Sequence, residues 1–392
     1  MTFKTKRHIA VPMAVLAAAG LALSGCATAG DTGGAAGEDD GIITIYGTIA
    51  DTEAELLEES FKPFEDETGF DVQYESSKEF ESQIGIRAQG GNPPDVAIFP
   101  QPGLLADLAS RGFLKPAPEG VVANVEEYWS ADWAAYGTVD GTLYGAPLMA
   151  SVKGFIWYQP AQFTEWGVEV PGTWDELLTL TQTIQEKTGS APWCAGFGSG
   201  DATGWPGTDW VEDLVLRQAG PDVYDQWVAN EIPFTDPQIQ DAFNSVGDIL
   251  LNPAYVNAGL GDVQSINSTE FGAPAVNLAD GSCALHHQAS FFDGFISDAG
   301  ATVAPDGDGW AFVLPGVEAG TNVVTGGGEI VGAFSDSPST VAFLEYLSSP
   351  EWANERVSLG GVISANNGLA PANASSGTLS QAIEVVQDPA TA

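Results

Sequence analysis

The chain has 392 residues, with 53 Asp and Glu against 12 Lys and Arg and a formal charge of −41 at pH 7. So acidic a chain lacks the basic patches that nucleic acid or an anionic membrane surface would need, and it suits a neutral solute better than an acidic one. Three cysteines and three histidines are too few for a Cys/His zinc cluster.

Residues 1–25 read as an export signal. Lys4, Lys6 and Arg7 precede an apolar run over 9–23 that is too short to span a bilayer comfortably. The run ends in Leu23, Ser24, Gly25 and Cys26, which resembles a bacterial lipobox. That resemblance implies cleavage before Cys26, a lipid on its thiol, and a mature protein on the extracellular face of the cytoplasmic membrane. The alternative is a plain secretory signal beside an incidental cysteine. Residues 26–40 are small and polar with no apolar period, the composition of a flexible linker. With Cys26 set aside, Cys194 and Cys283 form an even pair in an exported chain. They make either a disulfide, worth about 4–5 kcal/mol by loop entropy, or two buried thiols.

The folded part begins with a strand over 42–46. An acidic helix over 50–67 follows, with Leu56, Leu57, Phe61 and Phe64 at helical spacing and Gly69 as its stop. A strand over 70–74, a helix over 80–88, a buried strand over 95–99 and a helix over 104–110 continue the alternation. This pattern predicts an α/β domain with a largely parallel sheet. Its ligands would sit beyond the strand C-termini, at 46–51 and 99–101.

That element order, together with the Gly-Asn-Pro-Pro-Asp-Val run at 91–96 and Gly112 to Pro116, resembles the family 1 extracellular solute-binding proteins. These are the carbohydrate-binding, maltose-binding-protein-like subunits of bacterial ABC importers. The resemblance runs from residue 41 onward. Residues 140–147 resemble the hairpin before the first interlobe crossing, and 151–158 that crossing strand. Residues 171–177 resemble the family's Pro-x-Thr-Trp-Asp-Glu-Leu motif, with Thr173 and Glu176 as a capping box and Trp174 as core. Residues 309–315, 325–334 and 360–367 resemble the strand before the return, the second interlobe strand and the third crossing. The resemblance implies a two-lobe periplasmic-binding-protein-like α/β fold with a ligand cleft between the lobes. Lobe 1 would comprise 41–150 plus 326–364, and lobe 2 would comprise 151–325 plus 365–392. Family members continue with further helices, so a chain ending soon after one helix at 378–386 is expected to be truncated.

The candidate site centres on 198–213, a glycine-rich loop running into a helix with Thr208 or Asp209 as its N-cap. Sugar rings stack on aromatic faces, and their hydroxyls need fixed polar partners once water leaves. Trp205 and Trp210 are the stacking candidates, and Asp209, Gln101 and Gln288 the hydroxyl partners. Lys153 could pair with Asp209 or Glu329. Phe291 follows Gln288 at a strand end that the family places at the cleft. Gly327 and Gly328, before Glu329, would permit close backbone approach to a ligand, or form a mere β-turn. Glu212 and Asp213 are assigned to the helix itself. His286 and His287, adjacent on a strand, point to opposite faces and cannot readily share a metal ion.

The Gly-Trp-Pro-Gly-Thr-Asp-Trp run at 204–210 resembles members that handle α-glucosides. The expected ligand is therefore a neutral mono- or oligosaccharide such as trehalose, sucrose or maltose. It would be taken by a monomer without a cofactor and passed to ABC permease subunits. One alternative is a lipid-anchored glycoside hydrolase using Asp209 with Glu212 or Asp201, although a three-residue spacing is ordinary for an acidic helix N-terminus. A receptor for a non-sugar solute and an adhesive lipoprotein that never closes are the others.

Overall fold

The computed structural model describes residues 39–257, 260–320 and 323–388; the expected export signal and Cys26 lie outside them. Strand β1 (Ile42–Gly47) runs parallel to both β2 (Asp71–Ser76) and β3 (Val96–Phe99). All four β3 residues are fully buried, as expected of a central strand covered on both faces. Between β1 and β2 the expected single helix is two, Asp51–Glu59 and Lys62–Thr68. Pro63 is the reason. It cannot donate a helical hydrogen bond, so it sits in the first turn of a new helix.

A short hairpin, β4 (Thr138–Val139) and β5 (Thr142–Leu143), leads into β6 (Gly145–Val152). After Lys153 and Gly154 the chain enters a second sheet as β7 (Phe155–Tyr158), joined there by β8 (Trp193–Cys194), β9 (Leu285–Gln288) and β10 (Trp310–Val313). That sheet has the order β10-β7-β9-β8. Strand β11 (Gly326–Ala333) then returns to the first sheet, giving β2-β1-β3-β11-β6. It is antiparallel to both neighbours, so the first sheet is mixed rather than largely parallel. A strand arriving from the second lobe must run away from the cleft, opposite to strands that end there.

A third passage follows. Ala150 N donates to Ile363 O at 2.8 Å, and the helix Gly377–Gln387 buries Leu379, Ala382 and Ile383 in one apolar cluster with Leu148, Phe155 and Phe292 from the two sheets and the helix after β9. Ser376 caps it and donates to the buried Asp293 at 2.6 Å. Cys194 on β8 and Cys283 before β9, 89 residues apart, form the disulfide. Thr173 caps its helix as expected, but the Glu176 carboxylate reaches back to Gly172 N, one residue short of a capping box.

Candidate functional site

The helix Trp205–Ala219 sets the site. It starts one turn before the expected Thr208 or Asp209 cap, because Gly204 adopts φ 111° and Pro206 suits a first turn that needs no N–H. The early start decides which side chains face the cleft. Trp205, Asp209 and Glu212, at i, i+4 and i+7, share the half-buried side. Trp210, Asp213, Leu214 and Arg217 turn into the core of the second lobe.

On the half-buried side, Lys153 donates to Asp209 Oδ2 at 2.9 Å and lies 5.0 Å above the centre of the Trp205 ring. Phe271 meets Trp205 edge-on at 5.2 Å and Phe291 tilts against it at 6.0 Å. Glu212 accepts from the Tyr224 hydroxyl at 2.9 Å. The first lobe contributes Glu329. Strand β11 bulges between Gly328 and Ile330, so Glu329 leaves the ladder. The two glycines before it are already engaged, paired with Ser151 and Ala150. A Cβ on Gly327 would stand 2.9 Å from Lys153 Cε, and one on Gly328 would stand 2.0 Å from Met149 O. Their small size serves this packing.

Behind Glu329 lie Glu53, from the helix after β1, and Arg356. Burial, then the neighbouring Glu53, pushes Glu329 up to about 7, with Lys153 and Arg356 pulling the other way. Burial likewise raises Glu53 against the pull of Arg356, and raises Glu212 against its bond from Tyr224. For Lys153, burial works against the ammonium, but Asp209, Glu329 and Glu212 outweigh it and hold its pKa above the ordinary lysine range. Arg356 is fully buried and gives Nη1 to Gly360 O, while its Nε and Nη2 have no hydrogen-bond partner among the described residues. Asp51, two residues before Glu53 in the chain, holds a left-handed φ of 55°, the kind of backbone strain that gathers at ligand clamps. At the far lip Lys78 Nζ lies 3.3 Å from Glu270 Oε2, so the two lobes also touch away from their crossings.

Several sequence candidates stand elsewhere. Trp210 is 2% exposed, edge-on to Trp193 and stacked on His287 at 4.1 Å, so it offers no face to the cleft. Gln288 is buried. Its Oε1 accepts from Ala289 N, and its Nε2 has no partner among the described residues. Gln101 is exposed at the end of β3, with no side-chain hydrogen bond into the cluster among the described residues. His286 and His287 diverge, one to Cys194 O and the other to Asp213. The sequence reading missed Glu53, Phe271 and Arg356. Only Glu53 carried a signal, being an acid two residues past a strand end already marked for ligand.

Two α/β lobes meeting around a cleft of one aromatic face, several carboxylates, a half-buried lysine and a buried arginine define a solute-binding receptor. The chain belongs to the bacterial extracellular solute-binding protein family, whose profile matches residues 47–354. It is 41% identical over 320 residues to the alpha-glucosides-binding periplasmic protein AglE of Rhizobium meliloti, covering 79% of this chain and 68% of that one. It is 38% identical over 336 residues to the osmoprotective compounds-binding protein GgtB of Synechocystis, covering 85% and 78%. Among solved structures, the bacterial solute receptor AcbH superposes with a TM-score of 0.75 at 19% identity, over 88% of this chain and 86% of that one. The family and these relatives are binding proteins, not enzymes, which removes the hydrolase reading of Asp209 and Glu212.

Proposed function

We propose that this chain is the substrate receptor of an ABC importer, anchored outside the cytoplasmic membrane through a lipid on Cys26, and that its lobes close over a neutral α-glucoside. One observation carries the reading: Lys153 holds Asp209 and overlies Trp205, so an aromatic ring and a fixed carboxylate share one wall of the cleft. Such a wall takes the C–H face of a pyranose and its hydroxyls together. Glu329 and Glu53 add acceptors, and Arg356 adds donors not yet used. The Rhizobium meliloti relative's α-glucosides support the ligand class. Ligand contacts are assigned to Lys153, Trp205, Asp209, Phe291, Glu329, Glu53 and Arg356.

Calorimetry against trehalose, sucrose, maltose, amino acids and polyols tests the ligand. Binding of an amino acid or polyol with no neutral sugar would refute the sugar reading. Loss of membrane association in Cys26→Ala tests the anchor.

A further inference from the structure

The helix Trp205–Ala219 carries one carboxylate that the cleft does not use. Asp213 is fully buried; its Oδ1 accepts from Arg217 Nη1 and from Thr325 Oγ1, both at 2.8 Å, and its Oδ2 lies 2.7 Å from His287 Nε2. Arg217 belongs to the same helix, His287 to β9, and Thr325 to the segment returning to the first lobe. The carboxylate also presses on the first crossing. Gly154 has φ 74°, and a Cβ there would stand 2.6 Å from Asp213 Oδ2. Arg217 Nε donates to Leu314 O at 2.6 Å, Leu314 N to Gly154 O at 2.7 Å, and Lys153 N to Thr325 O at 2.9 Å. The first two crossings are therefore bonded to each other and gathered on one side chain.

A buried ionic cluster is a poor way to fill a core, since apolar residues of similar volume often hold it as well or better. What this one adds is connection. The strands on either side of these two crossings are laddered into their sheets, so the part of any lobe rotation that they carry must be taken up at 153–154 and within the return segment. One helical turn before Asp213, on the same helix, Asp209 holds Lys153. We propose that Asp213 is a positioning residue that ties the solute-facing helix to both crossing segments, so that a solute engaging Trp205 and Asp209 sets the hinge angle. The inference rests on the reading of the cleft as a solute site that closes, and assigns a role to a residue that touches no solute.

Asp213→Asn strands the Arg217 charge in the core, so its failure to fold would say nothing about the hinge. Thr325→Val is the decisive variant, because it removes one hydrogen bond to Asp213 and keeps the ion pair and the side-chain shape. Small-angle scattering of the full chain, without ligand and with trehalose, is paired with calorimetry and thermal melting. Thr325→Val should give a more expanded ligand-free ensemble and bind trehalose about tenfold more weakly at a near-native melting temperature, and Thr325→Ser should restore both. Wild-type scattering and affinity in Thr325→Val, whatever its melting temperature, would overturn the proposal. If the native chain binds no α-glucoside, the sugar reading falls alone. The ligand-free scattering needs no sugar and still decides, with an unexpanded Thr325→Val ensemble counting against the hinge role.

Discussion

Lys153 Nζ stands 2.9 Å from Asp209 Oδ2, which ties the first interlobe crossing to the helix that presents Trp205. Both side chains are largely covered, at 19% and 14% exposure, so the pair lies between a surface ion pair and a fully buried one. Removing the cation would leave Asp209, Glu212 and Glu329 facing one another. Lys153→Met should therefore cost about 1–3 kcal/mol in urea unfolding, more than any exposed pair on this chain. The exposed Lys62–Glu59 pair is the control, and Lys62→Met should leave stability nearly unchanged. Equal effects of the two substitutions would remove Lys153 from its central place in the cleft.

Glu329 gives the cleft a pH dependence. Burial and the neighbouring Glu53 raise its pKa from 4.5 to about 7, so between those values the folded protein holds a proton that the unfolded chain has released. The stabilisation from that proton is fully present below pH 4.5 and is lost as the pH climbs through 7. Glu329→Gln should flatten this slope, and above pH 7 it should raise stability by on the order of 1 kcal/mol, the shift being moderated by solvent in the cleft. Melting curves from pH 4 to 8 for both proteins check the sign. A falling slope that persists unchanged in Glu329→Gln would place the titrating group elsewhere, and a slope that rises in the wild type would overturn the sign.

How far the site was legible in the sequence followed the range of the interactions. The pairing of Trp205 with Asp209 is a helical i, i+4 relation and could be read locally. The same geometry explains why Trp210 turns into the core rather than toward the cleft. Five residues on a helix place two side chains on different faces, and reading 198–207 as a loop hid the fact that the helix already includes Trp205. Phe271 and Arg356 reach the cleft only through long-range packing, which no local spacing encodes. The direction of β11 was hidden for a similar reason, since it depends on which lobe the chain has just left. Pro63 was the local signal passed over, as it broke one expected helix into two.

The disulfide makes a prediction about where stability resides. Cys194 and Cys283 join β8 to the turn before β9, and both strands belong to the second sheet. Closing an 89-residue loop restricts the unfolded chain by about 4–5 kcal/mol in the entropy model. Reduction should lower the urea midpoint of the second lobe first, read by protection of its backbone amides in hydrogen exchange, while β1 to β3 keep theirs. Uniform loss of protection across both sheets would mean that the lobes unfold as one unit.

Trp205 and Trp210 lie in one helix but should behave as different kinds of residue. Trp205 is half-buried beneath Lys153, with Phe271 at its edge, and its truncation forfeits an aromatic pair worth about 0.5–1.5 kcal/mol. Trp205→Ala should thus lower stability modestly while weakening α-glucoside binding more than tenfold, or about 1.4 kcal/mol. Trp210 is wedged between Trp193 and His287 with almost no exposed surface. Trp210→Ala should cost about 3–5 kcal/mol of stability, and whatever fraction stays folded should bind with nearly native affinity. Calorimetry and thermal melting on the two variants separate these outcomes. If Trp205→Ala collapses the fold and leaves the surviving protein's affinity intact, the ring is core and the sugar's stacking surface has to be sought elsewhere in the cleft.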